Sequence, residues 1–372
     1  MLLRDPTGEG ALEALQEAAQ AGLHDADALA RRGRRTEALA QLASLVAWLT
    51  KLHDDVLVTR VREHDSATMR PPGYALTYRG QAHTEAARWL AVEGRASESK
   101  AELVAAGNDL DQAWQLLDRD GVHYWEFLLR RAAWEDLAGE REKTLDDLAL
   151  TTKVNSAEVP PHMWVARARG LRQKAERTLN SMRRERGDRP RARLGRLSEA
   201  RQAAEKALKV IKDGISWSRR GQHPFTRAQW LEAARVLLVN DMVTDPETDR
   251  TALHGLMAWY LGQAKAQPAP AWESAEMANA RLLPLEAELA HMESVMAAAK
   301  GDAAGAKTKG REAVAKAAEA VRLQEAIAAG GGPLPAPFPY VVAAWTLRAQ
   351  DKPRLARGAL GKALEATRTN PD

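Results

Sequence analysis

The feature that most limits how this chain can fold is a punctuation mark that recurs along it. A helix-like run ends at a glycine, a charged residue follows, and a second helix-like run begins at once. The mark occurs as "ALARRGRRTEALAQL" at Gly33, "AARWLAVEGRASESKAEL" at Gly94 and "AWEDLAGEREKTLDDL" at Gly139. It returns as "RARLGRLSEARQA" at Gly195 and "AAAKGDAAGAKTKG" at Gly301, and Asp351 takes the glycine's place in "LRAQDKPRLARGAL". The next residue is always charged: Arg34, Arg95, Glu140, Arg196, Asp302 and Lys352. The fifth residue on is always small: Ala38, Ser99, Thr144, Ala200, Ala306 and Ala356. Glycine enters the left-handed conformation that ends a helix at little cost. A small side chain one turn into the second helix lets two backbones approach. Each mark is therefore predicted to be the tip of an αα-hairpin.

The tips lie 61, 45, 56, 106 and 50 residues apart. The double interval predicts one further tip without a glycine, in "TDPETDRTAL" from Asp245 to Leu253. Ala, Leu, Glu, Arg, Lys and Gln, all strong helix formers, dominate the chain, and alternating strand patterns are nearly absent. The expected fold is all-α: a solenoid of about seven antiparallel helical hairpins with a period near fifty residues. Prolines fit that count. Pro71 and Pro72, Pro160 and Pro161, Pro224, Pro268 and Pro270, and the Pro333–Pro339 run stand where first helices should begin. Leu12, Leu15, Ala19, Leu23, Ala26 and Leu29 form one helical stripe, and Leu39, Leu42, Val46 and Leu49 the facing one.

A glycine turn, a charged residue and a small residue at the fifth position, after an aromatic-bearing helix, resemble the tetratricopeptide repeat superfamily. "RAQDKPRLARGALGKALEATRTNPD", which ends in Asn370-Pro371, carries the likeness best. The resemblance implies a stack of helical hairpins that holds a protein or peptide partner in its concave groove. The expected organisation is a repeat array over 1–328, with sub-boundaries near 155–160 and at a basic loop over 183–196. A Gly/Pro linker over 329–340 follows, and then a last hairpin over 341–372 that packs on the array. The linker, "AIAAGGGPLPAPFPYVV", has a second reading as a polyproline ligand for an aromatic groove.

Chemistry has few candidates. From Arg167 to Arg201 there are thirteen basic and four acidic residues, a local +9 within a chain of net +4. Arg183, Arg184, Arg186, Arg189, Arg191, Arg193 and Arg196 form its heart, and guanidinium forks suit phosphate or carboxylate. Arg31, Arg32, Arg34 and Arg35 gather around the first tip. One reading of the large cluster is a grip on nucleic acid or an acidic partner; the other is a solvated loop complementing a helix end. No aromatic residue lies between Trp164 and Trp217, which argues against base stacking.

The chain has no cysteine, so disulfides and thiolate chemistry are excluded. His53 and His64, with Asp54, Asp55 and Asp65, share a helical face about 16 Å apart, too far to chelate directly. Neither a metal nor a cofactor is expected. No phosphate-loop, dinucleotide or nucleophile-elbow motif occurs. Eleven tryptophans stand against three phenylalanines. Trp89, Trp134 and Trp345 keep register with their tips and are expected to wedge between the two helices of their own hairpins. Trp114, Trp125, Trp217, Trp230 and Trp272 keep no register and are candidate partner anchors. The opening "MLLRDPTGEG" lacks a signal-peptide core, and no run reaches the ~18 apolar residues of a membrane span.

These observations favour a cytoplasmic, non-enzymatic scaffold that binds a protein or peptide or pairs with a second copy. A nucleic-acid or polyanion binder using the 183–196 loop is the alternative. An enzyme or small-molecule sensor with a pocket between helices is the third reading.

Overall fold

The computed structural model describes residues 11–57, 70–117, 124–151, 161–184, 190–220, 224–245, 248–268 and 274–369. They form fourteen α-helices, with no strand among the described residues. The chain divides into two compact units, Met1–Val159 and Pro160–Asp372. The first unit holds α1 (Ala11–Arg31), α2 (Arg35–Lys51), α3 (Arg70–Val92), α4 (Ala96–Leu116), α5 (Tyr124–Ala138) and α6 (Arg141–Thr151). The second holds α7 (Pro161–Arg184), α8 (Pro190–Arg220), α9 (Arg227–Val243) and α10 (Thr251–Ala266), then α11 (Ala275–Ala299), α12 (Ala303–Ala329), α13 (Pro337–Ala349) and α14 (Pro353–Thr369). Consecutive helices pack as seven hairpins, and a short π-helical stretch, Leu52–Leu57, extends α2.

Five of the tips share one geometry. Gly33, Gly94, Gly139 and Gly301 have φ between 77° and 89°, and Asp351 has φ 54°. After each, the following amide reaches back to the carbonyl five residues earlier. The donor–acceptor pairs are Arg34–Leu29, Arg95–Leu90, Glu140–Glu135, Asp302–Ala297 and Lys352–Leu347. At each tip one carbonyl that the helix end would orphan is thereby satisfied. The charged residue then opens the next helix: Arg34 pairs with Glu37, Arg95 with Glu98, and Asp302 Oδ1 accepts from the Gly305 amide at 2.8 Å. The small fifth residue marks close approach. Ser99 Oγ crosses to the Ala87 carbonyl at 2.8 Å, and Ser294 Oγ to the Ala306 carbonyl at 2.7 Å. Gly331, at φ 79°, repeats the device at the end of α12, where the sequence pattern had not placed a tip.

Two expectations change. Gly195 is not a turn: α8 runs unbroken from Pro190 to Arg220, and Gly195 lies inside it, exposed. The connection falls instead between Arg184 and Pro190, where proline supplies the preset φ of a first helical position. An interior glycine costs a helix only about 1 kcal/mol, which thirty flanking residues outweigh. The glycine/proline segment is also shorter than 329–340. α12 continues to Ala329 and α13 begins at Pro337, because Pro337 and Pro339 occupy a first turn, where no intrahelical N–H is required.

Within each unit the hairpins stack by one rule. The second helix of a hairpin packs on the first helix of the next, and first helices pack side by side. α1, α3 and α5 make such a row in the first unit; α7, α9, α11 and α13 make one in the second. Each row has a largely buried member. From Pro72 to Leu90 in α3 and from Trp230 to Val243 in α9 most residues are buried, and Arg88 and Arg235 stand out with side chains 39% and 40% exposed. Trp134 corrects the expected wedge. Its indole N–H donates to the Leu103 carbonyl at 2.9 Å, and its ring lies where a Cβ on Gly107 would sit. Trp134 therefore packs on α4 of the preceding hairpin rather than between the helices of its own. Trp89 is buried in the first unit's core, and Trp345 is half-buried.

Candidate functional site

A largely buried helix should be apolar nearly all round, yet α3 and α9 both bury polar and charged side chains. Each such group needs a partner, because an unpaired buried charge is costly. Following those partners locates the candidate site.

On α3 each charge among the described residues is answered. Arg79 makes a fork to Asp109 on α4, with Nε at 2.8 Å and Nη2 at 2.6 Å, and gives a third bond to Thr50 on α2 at 3.2 Å. Tyr78 receives a bond from Gln20 on α1 and gives one to Glu126 on α5, both at 3.2 Å. Arg130 of α5 bonds Glu126 and Gln81, with its guanidinium 4.3 Å over the Tyr78 ring. His83 pairs with Glu102. In the next hairpin Arg131 forks to Asp147 and lies 3.9 Å over Trp114. Glu135, beside it and 4% exposed, is pushed up to about 7 by burial and then by Asp147.

On α9 the arrangement is inverted: the central helix carries the anion, and two of its three cations come from the neighbouring α7. Glu232, 2% exposed, accepts from Arg172 Nε at 2.6 Å, and Arg172 Nη1 continues to Glu176 at 2.7 Å. The other carboxylate oxygen of Glu232 has Arg169 Nε of α7 and Arg235 Nη1 of α9 each 3.6 Å away. Burial disfavours the Glu232 carboxylate, but Arg172, Arg169 and Arg235 outweigh it and hold the group below the usual range. At 3.6 Å neither contact is a hydrogen bond, and neither guanidinium donates one among the described residues. Their side chains are 54% and 40% exposed. Arg235 also stands 5.4 Å over the half-buried Phe338 ring at the start of α13.

Further along α9, Asp241 accepts from His254 Nε2 at 2.9 Å and from Arg250 at 3.1 Å. Glu288 of α11, 2% exposed, is pushed up to about 8 by burial and then by the Asp241 charge. One of its oxygens has no partner among the described residues, as expected for a carboxyl that stays neutral. Burial pulls His291 of the same helix down, against the charge of Asp241. An aromatic cleft of about 320 Å³ lies between Ile215, Phe225, Trp230, Gln263 and Gln267. Trp230 sits in its wall, 5.2 Å from the Phe225 ring and edge-on to Trp259, which is 39% exposed.

Most of the arginines singled out from sequence have side chains outside the described residues. Arg183 and Arg184 end α7 and Arg191 and Arg193 open α8, but their side chains, like Arg186 and Arg189 entirely, lie outside the described residues. Arg196 is half-buried on α8 and has a partner. Trp272, His64 and Asp65 also lie outside the described residues, and His53 bonds Asp54 at 2.7 Å. Among the described residues no three His, Asp or Glu side chains are grouped to hold a metal ion, and no helix is long and apolar enough to cross a membrane. Glu232 and Asp241 were missed by sequence reasoning. Their signal was an acidic residue inside the apolar run "WLEAARVLLVNDMV". No family model matches the chain, and none of the curated proteins does.

Proposed function

We propose that this chain is a non-enzymatic, tetratricopeptide-like scaffold of the cytoplasm. In this reading the second unit receives a segment of a partner protein along the row of α7, α9, α11 and α13. The observation that carries it is the pair Arg169 of α7 and Arg235 of α9, whose side chains are part-exposed and whose guanidiniums make no hydrogen bond among the described residues. Stacked hairpins offer extended surface rather than an enclosed reaction chamber, which suits recognition of a chain segment. Fixing an extended segment across several helices needs few anchors, and arginine is among the residues that most often supply them.

The test is selection of random dodecapeptides displayed on phage against the full chain, followed by amide hydrogen exchange with and without a selected peptide. Protection is expected on α7, α9 and α13. Protection confined to α8, α10, α12 and α14, or failure to enrich any peptide, would refute the reading.

A further inference from the structure

We infer that the Arg169–Arg235 pair is a docking point for a single aspartate or glutamate side chain within an acidic, apolar-flanked segment of a partner protein. This rests on the scaffold reading and gives its ligand a chemistry. Around Glu232 stand three guanidiniums, of Arg169, Arg172 and Arg235, against two carboxylates, Glu232 and Glu176. The cluster keeps one positive charge in excess, the complement of one carboxylate.

The three arginines do different work. Arg172, with 10% of its side chain exposed, is spent inside the protein on Glu232 and Glu176. Arg169 and Arg235 reach the same oxygen of Glu232 from two different helices, so the buried carboxylate draws both guanidiniums toward one point. Neither donates a hydrogen bond among the described residues, and each guanidinium offers five N–H groups in a planar fork. An incoming carboxylate placed between them from the solvent side would gain charge-assisted bonds from both. It would do so without ordering either side chain afresh.

Phe338, beneath Arg235, supplies an apolar shoulder for the residue next to the acid. A nucleic acid is the poorer fit. Such ligands depend on a series of phosphate contacts along a backbone, and this cluster has charge to spare for one. A free anion would match the charge but leave the Phe338 shoulder unused.

The experiment is fluorescence anisotropy with the full chain and a fluorescein-labelled dodecapeptide carrying four glutamates among leucines, its C-terminus amidated. The expected result is saturable binding that weakens as salt is raised. Replacing the glutamates by glutamine should abolish it, and R169Q/R235Q should weaken it at least tenfold. R235K, which keeps the charge but loses the fork, should fall between. Both positions are half-exposed, so the double variant is expected to melt as the parent does; if it does not, R169Q alone carries the same requirement of weaker binding. Three results would overturn the proposal. The variants could bind the peptide as tightly as the parent. A glutamine peptide with a free C-terminus could bind equally well, which would assign the arginines to a chain end. An oligodeoxythymidylate could bind more tightly than the peptide, through the same two arginines.

The outcomes separate the two levels. If phage-selected peptides protect α7 and α9 yet are not acidic and ignore R169Q/R235Q, the ligand class falls and the scaffold stands. If no peptide protects that row, both fall.

Discussion

The helices α3 and α9 hold the same place in their respective units, second in a row of first helices and largely buried, yet they solve the same problem in opposite ways. α3 buries a cation, Arg79, and its own hairpin partner answers with Asp109. The network that continues through Tyr78, Glu126 and Arg130 ends inside the protein. α9 buries an anion, Glu232, and draws three arginines to it, two of which make no hydrogen bond among the described residues. Packing demands only that a buried charge be paired, and both units meet that demand. What packing does not demand is the surplus, so the surplus is where a ligand is to be sought.

The sharpest test of that contrast is to remove the carboxylate from each helix environment. Asp109→Ala leaves Arg79, 14% exposed, with Thr50 as its remaining bond. A buried pair broken from one side costs about 3–5 kcal/mol, and a urea midpoint followed by tryptophan fluorescence should fall accordingly. Glu232→Ala should cost less than half as much. Arg172 keeps Glu176, and Arg169 and Arg235 can turn to water. Equal losses would mean that the second network is as closed as the first.

The second comparison is between two carboxyls that burial keeps from ionising, Glu288 at about 8 and Glu135 at about 7. Each binds its proton more tightly folded than unfolded, where glutamate titrates near 4.3. Stability from such a group is complete below the unfolded value and is lost as pH rises toward the folded one. The loss for Glu288 therefore accrues from about pH 4.5 to about 8, as the negative charge forced into a buried site is also repelled by Asp241. It should amount to about 2–4 kcal/mol, at ~1.4 kcal/mol per unit discounted for relaxation. Glu135 has Arg131 beside it and a narrower window, ending near pH 7. Urea midpoints at pH 5 and pH 8 should show Glu288→Gln flattening the decline more than Glu135→Gln does. A decline untouched by Glu288→Gln would remove that residue from the account.

How far could this be read from sequence? The tips at Gly33, Gly94, Gly139, Gly301 and Asp351 were legible because a left-handed residue, a charge and a small side chain are local demands, met within one hairpin. Gly195 misled because it copies all three locally, while Pro190 starts the helix five residues earlier. The Trp134 wedge was misassigned because a side chain's neighbour across hairpins, here Gly107, depends on stacking, which no single hairpin encodes. The candidate site was not legible for the same reason. Arg169 and Arg172 stood within the basic stretch as two arginines among many, and Glu232 lies sixty residues beyond Arg172. Charge density along the chain pointed to 183–196, whereas unspent donors beside a buried carboxylate are a property of three-dimensional neighbours.

The tips allow a finer comparison, since the first unit uses glycine at all three of its marks and the second ends on Asp351. A Cβ on Gly94 would meet nothing within 4 Å, so Gly94→Ala isolates the backbone cost of φ 77°. That cost is about 1–2 kcal/mol, read as a lower thermal midpoint. Asp351→Gly is the reverse experiment and the smallest effect. Aspartate tolerates the left-handed region better than most residues, at φ 54° here, so only part of the strain is present to be relieved. Glycine also widens the unfolded ensemble, which takes back roughly 0.5–1 kcal/mol. The net gain should be no more than about 0.5 kcal/mol, measurable only by comparing urea midpoints of the two proteins side by side. A loss above about 1 kcal/mol would show that the Asp351 side chain supports its turn in a way the glycines of the first unit do without.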